Sequence, residues 1–270
     1  MATPVVTETT RAITFATSAN KGLGLEPSHQ LASLPHNYYV LITCRDPSRG
    51  QTAASSLQTE GLSVEQVVLD VTDDESISAA AESIREKYGH IGVLVNNAGI
   101  LIEHQKDRPP RKAWKDTFDT NLFGVVAVTE AFIPLLRKSE QVPRIAFLGS
   151  DLGRLETKYD STHKCYTQGP IPAFRCSKMV LEMLTLHYAT QFREGWDKRE
   201  DGTAGGIKWK INITFPGPTR ADHNTIERCR RWILGREKLS VWPLWERMVR
   251  RELWAESMEF CLSGFGMVRC

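Results

Sequence analysis

The sequence predicts an α/β protein with a doubly wound parallel sheet, covered by helices on both faces. Short β-rich runs alternate with longer stretches of helical spacing, and a glycine-containing turn follows the first run. Neighbouring parallel strands need crossover connections, which are usually helices. The six candidate strands are Ala12 to Ala16, Tyr39 to Cys44, Gln66 to Leu69, Val93 to Val95, Arg144 to Leu148 and Lys208 to Thr214.

Three stretches between these runs have the apolar spacing of helices. Asp74 to Tyr88 repeats apolar residues at helical intervals, and Trp114 to Leu136 and Ala173 to Phe192 are longer and more apolar. Neither an internal repeat nor an interdomain linker interrupts the alternation. We therefore expect one three-layer domain. After about residue 224 the alternation stops, and the basic, tryptophan-containing stretch Glu227 to Trp254 predicts a divergent helical lid. In the alternative interpretation, its basic and aromatic side chains bind an acidic or aromatic ligand.

Composition narrows the classes of function. The 270 residues carry 34 Lys and Arg against 32 Asp and Glu, a net charge of +2, and 41% of them are hydrophobic. Mixed charges of this kind give no electrostatic footprint for nucleic acid. No apolar run approaches the roughly 20 residues of a membrane span, and the N-terminus lacks a secretory pattern. We therefore expect a cytoplasmic protein with neither nucleic acid nor membrane as partner.

The cysteines do not predict a metal site. All six are scattered, without a Cys-x-x-Cys pair, and no histidine pair has metal-ligand spacing. Scattered cysteines are typical of reduced thiols in an intracellular protein.

The turn after the first candidate strand points to a nucleotide. It runs Thr17-Ser18-Ala19-Asn20-Lys21-Gly22-Leu23-Gly24 and leads into a helical stretch. Glycines between a strand and a helix let the backbone approach a pyrophosphate, which then binds the N–H groups at the start of the helix. Such a turn in the first unit of an alternating chain favours dinucleotide binding.

Here the chain resembles the short-chain dehydrogenase/reductases, Rossmann-type enzymes whose turn reads Thr-Gly-x-x-x-Gly-x-Gly. Thr17, Gly22 and Gly24 occupy their places in that motif, whereas Ser18 stands at the first glycine. A side chain at that position either crowds the tight turn or demands an unusual backbone angle. The resemblance, which includes carbonyl reductases, implies a nucleotide-binding half over about residues 11–150 and a substrate half with the lid over 151–270.

Further motifs extend the resemblance from about residue 12 to about residue 222. The resemblance implies that Asp70-Val71 contacts adenine, that Asn121 belongs to the catalytic tetrad, and that Pro216-Gly217 covers the nicotinamide. Asn96-Asn97-Ala98-Gly99 matches the most specific structural motif of the family. The cofactor-binding residues implied in this way are Thr17, Ser18, Asn20, Lys21, Gly22, Leu23, Gly24, Arg45, Asp70, Val71, Asn97, Ala98, Gly99, Lys178, Pro216 and Gly217.

The residues after the second strand favour NADP(H) over NAD(H). An acidic residue at that place binds the free ribose of NAD, whereas an arginine accommodates the 2′-phosphate of NADP. This chain has Cys44-Arg45-Asp46, with Lys21 in the glycine turn. In the alternative interpretation, Arg45 is a solvated loop residue and Asp46 caps a turn.

The catalytic motif lacks its usual proton donor. By resemblance, Ser150 holds a substrate carbonyl and Lys178 is the lysine of Tyr-x-x-x-Lys, but Phe174 replaces the tyrosine. General acid–base catalysis contributes about 10² to 10⁴ in rate, so ordinary ketone reduction requires a substitute. Tyr166 is the leading candidate, and the alternative is that it forms an aromatic wall of the pocket.

Three functions remain open. The first is an NADP(H)-dependent oxidoreductase acting on a bulky hydrophobic carbonyl or imine, as in specialised metabolism. The second is a redox-neutral isomerase or cyclase, and the third is a non-catalytic nucleotide-binding protein. The resemblance further implies a homodimer or homotetramer built on the helices Trp114 to Leu136 and Ala173 to Phe192.

Overall fold

A six-stranded parallel sheet organises the computed structural model, which describes residues 11–34, 38–105, 107–163, 165–167, 169–193 and 209–216. The strands are β1 (Ala12–Ala16), β2 (Tyr38–Cys44), β3 (Val64–Val68), β4 (Val93–Asn96), β5 (Arg144–Leu148) and β6 (Lys210–Thr214). The helices are α1 (Gly22–Ala32), α2 (Pro47–Thr59), α3 (Asp74–Tyr88), α4 (Pro110–Phe118), α5 (Gly124–Arg137), α6 (Leu155–Tyr159) and α7 (Pro172–Arg193).

The order of the strands confirms the predicted doubly wound fold. They lie in the order β3-β2-β1-β4-β5-β6, and every pairing is parallel. The chain therefore moves outward from β1 to β3, returns to β4 beside β1, and moves outward again to β6. The ends of β1 and β4 form the switch point, where ligands bind in open α/β sheets.

Two apolar cores bury the faces of the sheet. On one face, Phe15 of β1 stacks on Phe132 of α5 at 4.3 Å between ring centroids, and α3, α5 and α7 enclose this core. On the other face, Ile42 and Ala146 pack with Leu31 of α1 and Leu57 of α2. A sheet buried on both sides explains why β1 reads as a continuous buried run rather than an alternating one.

The long apolar helix predicted from Trp114 to Leu136 is interrupted once. The π-helical turn Asp119–Phe123 separates α4 from α5 and contains the buried Asn121. π-Helical turns are rare in proteins, and those that occur are often found at functional sites. By length and composition, the run Pro110–Arg137 is apolar enough to span a membrane, but half of its most apolar window is buried. Val128 and Phe132 of α5 belong to the core.

Local differences from the predicted elements are small. Strand β3 begins two residues before the predicted Gln66, where Val64 pairs with Val40 of β2. This pairing extends the strand into polar positions that its pattern did not mark. Gly217 of the Pro216-Gly217 motif and the stretch Glu227 to Trp254 lie outside the described residues.

Candidate functional site

Two residues of the glycine turn have left-handed backbone angles, and one of them is strained. Gly22 has φ of 54° and Ser18 has φ of 49°, in the left-handed region that costs an ordinary residue about 1 kcal/mol. The Ser18 N–H donates to Thr43 Oγ1 at 3.0 Å, which holds this conformation. Gly24 must lack a side chain, since a Cβ there would lie 2.5 Å from Asn97 Nδ2.

Hydrogen bonds fasten the glycine turn to the loop after β4. The buried Thr17 hydroxyl accepts from the N–H groups of Asn97 and Ala98, both at 2.9 Å. In return, Asn97 Nδ2 donates to the carbonyls of Thr17 at 2.9 Å and Ser18 at 3.1 Å. Four residues from two distant motifs, Thr17, Ser18, Asn97 and Ala98, are thus held as one unit at the switch point.

A narrow, mostly apolar cleft lies beside this turn. Leu23 and Gly24 line one end, and Asn97, Leu148 and Thr214 line the ends of β4, β5 and β6. Helix α1 starts at its N-cap, Lys21, without a side-chain capping bond. An uncapped helix start directs N–H groups and the positive end of the helix dipole toward an anion.

The residues after β2 and β3 leave an exposed cation at the same edge. Asp46 accepts from the Arg49 N–H at 3.1 Å and so caps α2, which is what the alternative interpretation of this residue expected. The Arg45 side chain is 72% exposed, and its Nη1 lies 3.9 Å from Asp70 Oδ2. Arg45 is therefore held only loosely and is available to an anionic ligand.

Asn121 connects the π-helical turn to the loop after β4 and to α7. Its Oδ1 accepts from Ile100 N at 2.7 Å, and its Nδ2 donates to Ile100 O at 3.0 Å and to Ser177 Oγ at 3.1 Å. Ser177 in turn donates to the carbonyl of Phe174 at 2.8 Å. The predicted tetrad residue therefore joins the loop after β4 to α7.

Lys178 is buried, with a single hydrogen-bond acceptor given by the structure. Its side chain points from α7 to the end of β5, where Nζ donates to Leu148 O at 2.7 Å, and the residue is 4% exposed. Burial disfavours the charged amine and lowers the pKa of Lys178 from 10.5 to about 8. A Cβ on Gly99 would lie 3.4 Å from this Nζ, so the small residue leaves the approach to the amine open.

Ser150 begins a 3-10 turn, Asp151–Gly153, which packs closely on α7. The Ser150 Oγ accepts from Leu152 N at 3.3 Å, as the N-cap of that turn. A Cβ on Gly153 would lie 2.8 Å from the backbone and Cβ of Lys178. The glycine of the Ser-x-x-Gly motif thus brings the turn that carries Ser150 against the helix that carries Lys178.

Phe174 occupies the expected tyrosine position beside the lysine. The Lys178 Nζ lies 5.8 Å from the centroid of the Phe174 ring. No oxygen is present on this side chain to give a proton. Tyr166, the candidate substitute, is 37% exposed, and its ring contacts Lys158 Nζ at 5.0 Å. Within the part of the chain that the structure describes, no hydrogen bond or ring contact joins Tyr166 to Phe174 or Lys178.

Sequence reasoning missed two residues that hold the first turn of α7: Glu103, from the loop after β4, and Arg175, on α7 itself. Glu103 Oε1 accepts from Ala173 N at 2.6 Å, and its Oε2 accepts from Phe174 N at 3.1 Å. Arg175 donates to Leu152 O at 3.2 Å and to Cys165 O at 2.5 Å. Neither residue lies in a motif that identifies it, and Glu103 is 70 positions from its partner.

A glycine turn at the switch point, an uncapped α1 and a buried lysine define a dinucleotide-binding α/β protein with an oxidoreductase-type site. Residues 12–194 match the family of short chain dehydrogenases, and the chain belongs to the short-chain dehydrogenase/reductases. This confirms the family resemblance and the relation to oxidoreductases.

Curated relatives are similar over half to three quarters of the chain. The short-chain dehydrogenase/reductase tropE of Talaromyces stipitatus is 33% identical over 217 residues, which cover 75% of this chain and 81% of tropE. The short-chain dehydrogenase anuI of Penicillium roqueforti is 34% identical, covering 65% of this chain and 71% of anuI. Human carbonyl reductase [NADPH] 1 is 36% identical over 138 residues, about half of each chain.

Solved structures agree on the fold. A putative short chain dehydrogenase from Shigella flexneri, complexed with NADP, superposes with a TM-score of 0.62 at 22% identity and covers 84% of this chain and 83% of its own. The residues of the present site fit a nicotinamide dinucleotide, because Gly24 allows close backbone approach and the uncapped start of α1 offers N–H donors.

Replacing Lys178 by methionine is expected to stabilise the protein at pH 7 by about 1–2 kcal/mol. The lowered pKa means that folding buries an ammonium at a cost of at most about 3 kcal/mol, partly offset by about 1 kcal/mol from its hydrogen bond. Between about pH 8 and 10.5 the folded lysine loses its proton before the unfolded one, so the wild type gains stability as pH rises.

The free energy of unfolding of Lys178→Met therefore exceeds that of the wild type most below pH 8, and the difference decreases toward pH 10. Urea unfolding at a series of pH values measures it, with the exposed Lys138→Met as the matched control. A wild type that is the more stable protein at pH 7 would contradict this account of Lys178.

Proposed function

We propose that this protein is an NADP(H)-dependent oxidoreductase that acts on a bulky hydrophobic carbonyl or imine with atypical proton donation. The observation that carries the proposal is the buried Lys178, held at the end of β5 and joined through Ser177 to Asn121. A protein that only binds a partner does not need a buried amine, because burying it costs stability. Family membership supports the oxidoreductase class.

The preference for NADP(H) rests on the edge of the sheet beside β2. Arg45 is exposed and loosely held, whereas the Asp46 carboxylate already caps α2 and contacts Arg49. A carboxylate engaged in this way is a poor acceptor for a ribose hydroxyl, and the free guanidinium suits a phosphate. The name of the human carbonyl reductase, which includes NADPH, and the NADP complex of the Shigella protein support this preference.

In the proposed reaction the residues of this chain bind and orient the reactants. When bound, a nicotinamide dinucleotide supplies or accepts a hydride. The Ser150 hydroxyl accepts one hydrogen bond, and the structure gives it no acceptor among the described residues, so it can donate to a substrate oxygen or nitrogen. Lys178, with a pKa of about 8, carries its proton at pH 7 and provides positive charge beside the reacting centre.

Phe174 sets the class of substrate. Reduction of a ketone gives an alkoxide, which requires a proton, whereas hydride addition to an iminium gives a neutral amine and requires none. The phenyl ring at position 174 therefore favours imine substrates that bind already protonated, as iminium ions, or a proton from another group. We assign the substrate to bulky hydrophobic small molecules of specialised metabolism, because Leu155, Tyr159 and Tyr166, in the segment after Ser150, are exposed apolar and aromatic side chains.

Phe174 also favours a second candidate, a redox-neutral isomerase or cyclase on the same scaffold. Positioning of a reactive intermediate and electrostatic stabilisation by Ser150 and Lys178 would suffice for such a reaction, without a phenolic acid. Turnover of a substrate without a net change in NADPH absorbance would support this second candidate over the first.

A nucleotide titration tests the cofactor proposal. NADPH is expected to quench tryptophan fluorescence with a dissociation constant on the order of micromolar, at least about ten-fold tighter than NADH. Arg45→Ala should remove most of this preference, whereas Arg85→Ala on exposed α3 should not. Ser18→Gly removes the strain of the positive φ, because glycine adopts this angle freely. This variant is expected to bind NADPH as tightly as the parent or more tightly. Absence of NADPH binding in both the parent and Ser18→Gly would refute the proposal.

The Phe174→Tyr variant tests whether only the acid is missing. A phenol beside Lys178 is expected to raise the rate of reduction of simple ketones by about 10² to 10⁴, measured by NADPH absorbance. Phe123→Tyr, at an exposed position in the π-helical turn, adds the same hydroxyl away from Lys178 and should give no gain. An unchanged rate in Phe174→Tyr with NADPH bound would show that more than the acid differs.

We propose a homodimer or homotetramer in which α7 faces a second copy. Met179, Met183 and Leu186 form a stripe on α7 and are 37%, 67% and 39% exposed. Exposed apolar stripes on a helix are typical of protein interfaces.

Met183→Glu is expected to yield monomers in analytical ultracentrifugation. Val68→Glu, at an exposed position on β3, should leave the oligomer intact. A wild type that sediments as a monomer would exclude this assembly.

A further inference from the structure

We propose that Glu103 is a positioning residue that fixes the side chain at position 174 by binding the first turn of α7 to the loop after β4. The inference rests on the proposed function for its catalytic meaning, because position 174 matters only if the site is catalytic. The geometry behind it is independent of any bound nucleotide.

An inventory of the N–H groups at the start of α7 shows why Glu103 matters. The first residues of a helix have N–H groups without intrahelical partners. Pro172 has no N–H, and Arg175 N donates to Ile171 O at 3.1 Å. Ala173 N and Phe174 N both donate to the Glu103 carboxylate, at 2.6 and 3.1 Å. The cap of α7 therefore comes from a distant loop rather than from a neighbouring residue.

The loop that carries Glu103 is itself anchored at two earlier points. Asn97 is bound to Thr17 of the glycine turn, and Ile100 N and O are both bound by the Asn121 side chain. Glu103 thus lies three residues beyond a fixed position. A carboxylate on such a short tether has little freedom, so it transmits the position of the β4 loop to α7.

The same turn of α7 is held from the other side. The Arg175 guanidinium donates to Leu152 O, in the turn that begins at Ser150, and to Cys165 O. The backbone at position 174 therefore lies between a carboxylate from the loop after β4 and carbonyls from the segment after β5. Lys178 is bound separately to Leu148 O, so loss of Glu103 would move residue 174 relative to Lys178.

The test places a reporter at position 174. With 4-fluorophenylalanine incorporated there, the fluorine resonance should be one narrow line whose shift follows the ionisation of Lys178 near pH 8, because Nζ lies 5.8 Å from the ring. In Glu103→Ala the line should broaden or move, and its pH response should fall by about two-fold or more, since the effect of a charge decreases with distance. Glu103→Gln, which keeps one acceptor oxygen, should give a smaller change and guards against misfolding.

The matched control is Asp73→Ala, which removes the carboxylate cap of α3, where Asp73 accepts from Glu75 N at 3.1 Å. This variant should lose stability as the Glu103 variants do, by about 1 kcal/mol, but leave the fluorine line and its pH response unchanged. A parental resonance in both Glu103 variants, or the same change in Asp73→Ala, would overturn the proposal.

NADPH titration of the same proteins separates this inference from the proposed function. We expect Glu103→Gln to change the NADPH dissociation constant by less than about two-fold, because Glu103 binds α7 and not the glycine turn. A fluorine change in a protein that does not bind NADPH would support the positioning role and refute the oxidoreductase. A dissociation constant that rises strongly in Glu103→Gln would contradict a role confined to position 174.

Discussion

A lysine amine buried at the end of a parallel strand is the constraint on which the rest of this site depends. Lys178 has the carbonyl of Leu148 as its hydrogen-bond acceptor and little contact with water. Its position requires Gly153, because any side chain there would collide with the lysine backbone. Ser177 and Asn121 then connect the same helical turn to the π-helical turn before α5. A buried charge tolerates little displacement, so these neighbours must be well ordered.

Two residues depart from the family motif, and each changes one property while the surrounding structure is kept. Ser18 adopts the left-handed backbone that glycine would supply, with Thr43 as its partner. Phe174 keeps its place beside Lys178 but has no hydroxyl. The Thr17 and Asn97 bonds, the uncapped α1 and the Asn121 network all remain. Retention of these contacts favours altered proton donation over loss of catalysis.

The loops that border the site are held by charged side chains on one turn of α7. Glu103 binds the backbone on one side, and Arg175 binds two carbonyls on the other. Charge-assisted hydrogen bonds of this kind are shorter and stronger than neutral ones, and a bidentate contact adds directional control. The segment after Ser150 is therefore attached to α7 and is part of the framework of the candidate site.

Periodicity and short motifs are local properties of the chain, so the sequence predicts the parallel sheet. They also single out the candidate site residues Thr17, Asn97, Asn121, Ser150, Phe174 and Lys178. The missing glycine at position 18 left two consequences open, a crowded turn or an unusual backbone angle, and the structure shows the second, since Ser18 has a positive φ. The sequence predicts the ends of the strands less accurately than their presence. Strand β3 begins at Val64, before the predicted Gln66, because Val40 pairs with Val64 across the sheet.

Three features of the candidate site are visible only in the folded chain. Tyr166 contacts Lys158, Asn121 lies in a π-helical turn, and Glu103 caps α7. Each of these depends on contacts between segments or on a local distortion that packing imposes, for which residue spacing carries no signal.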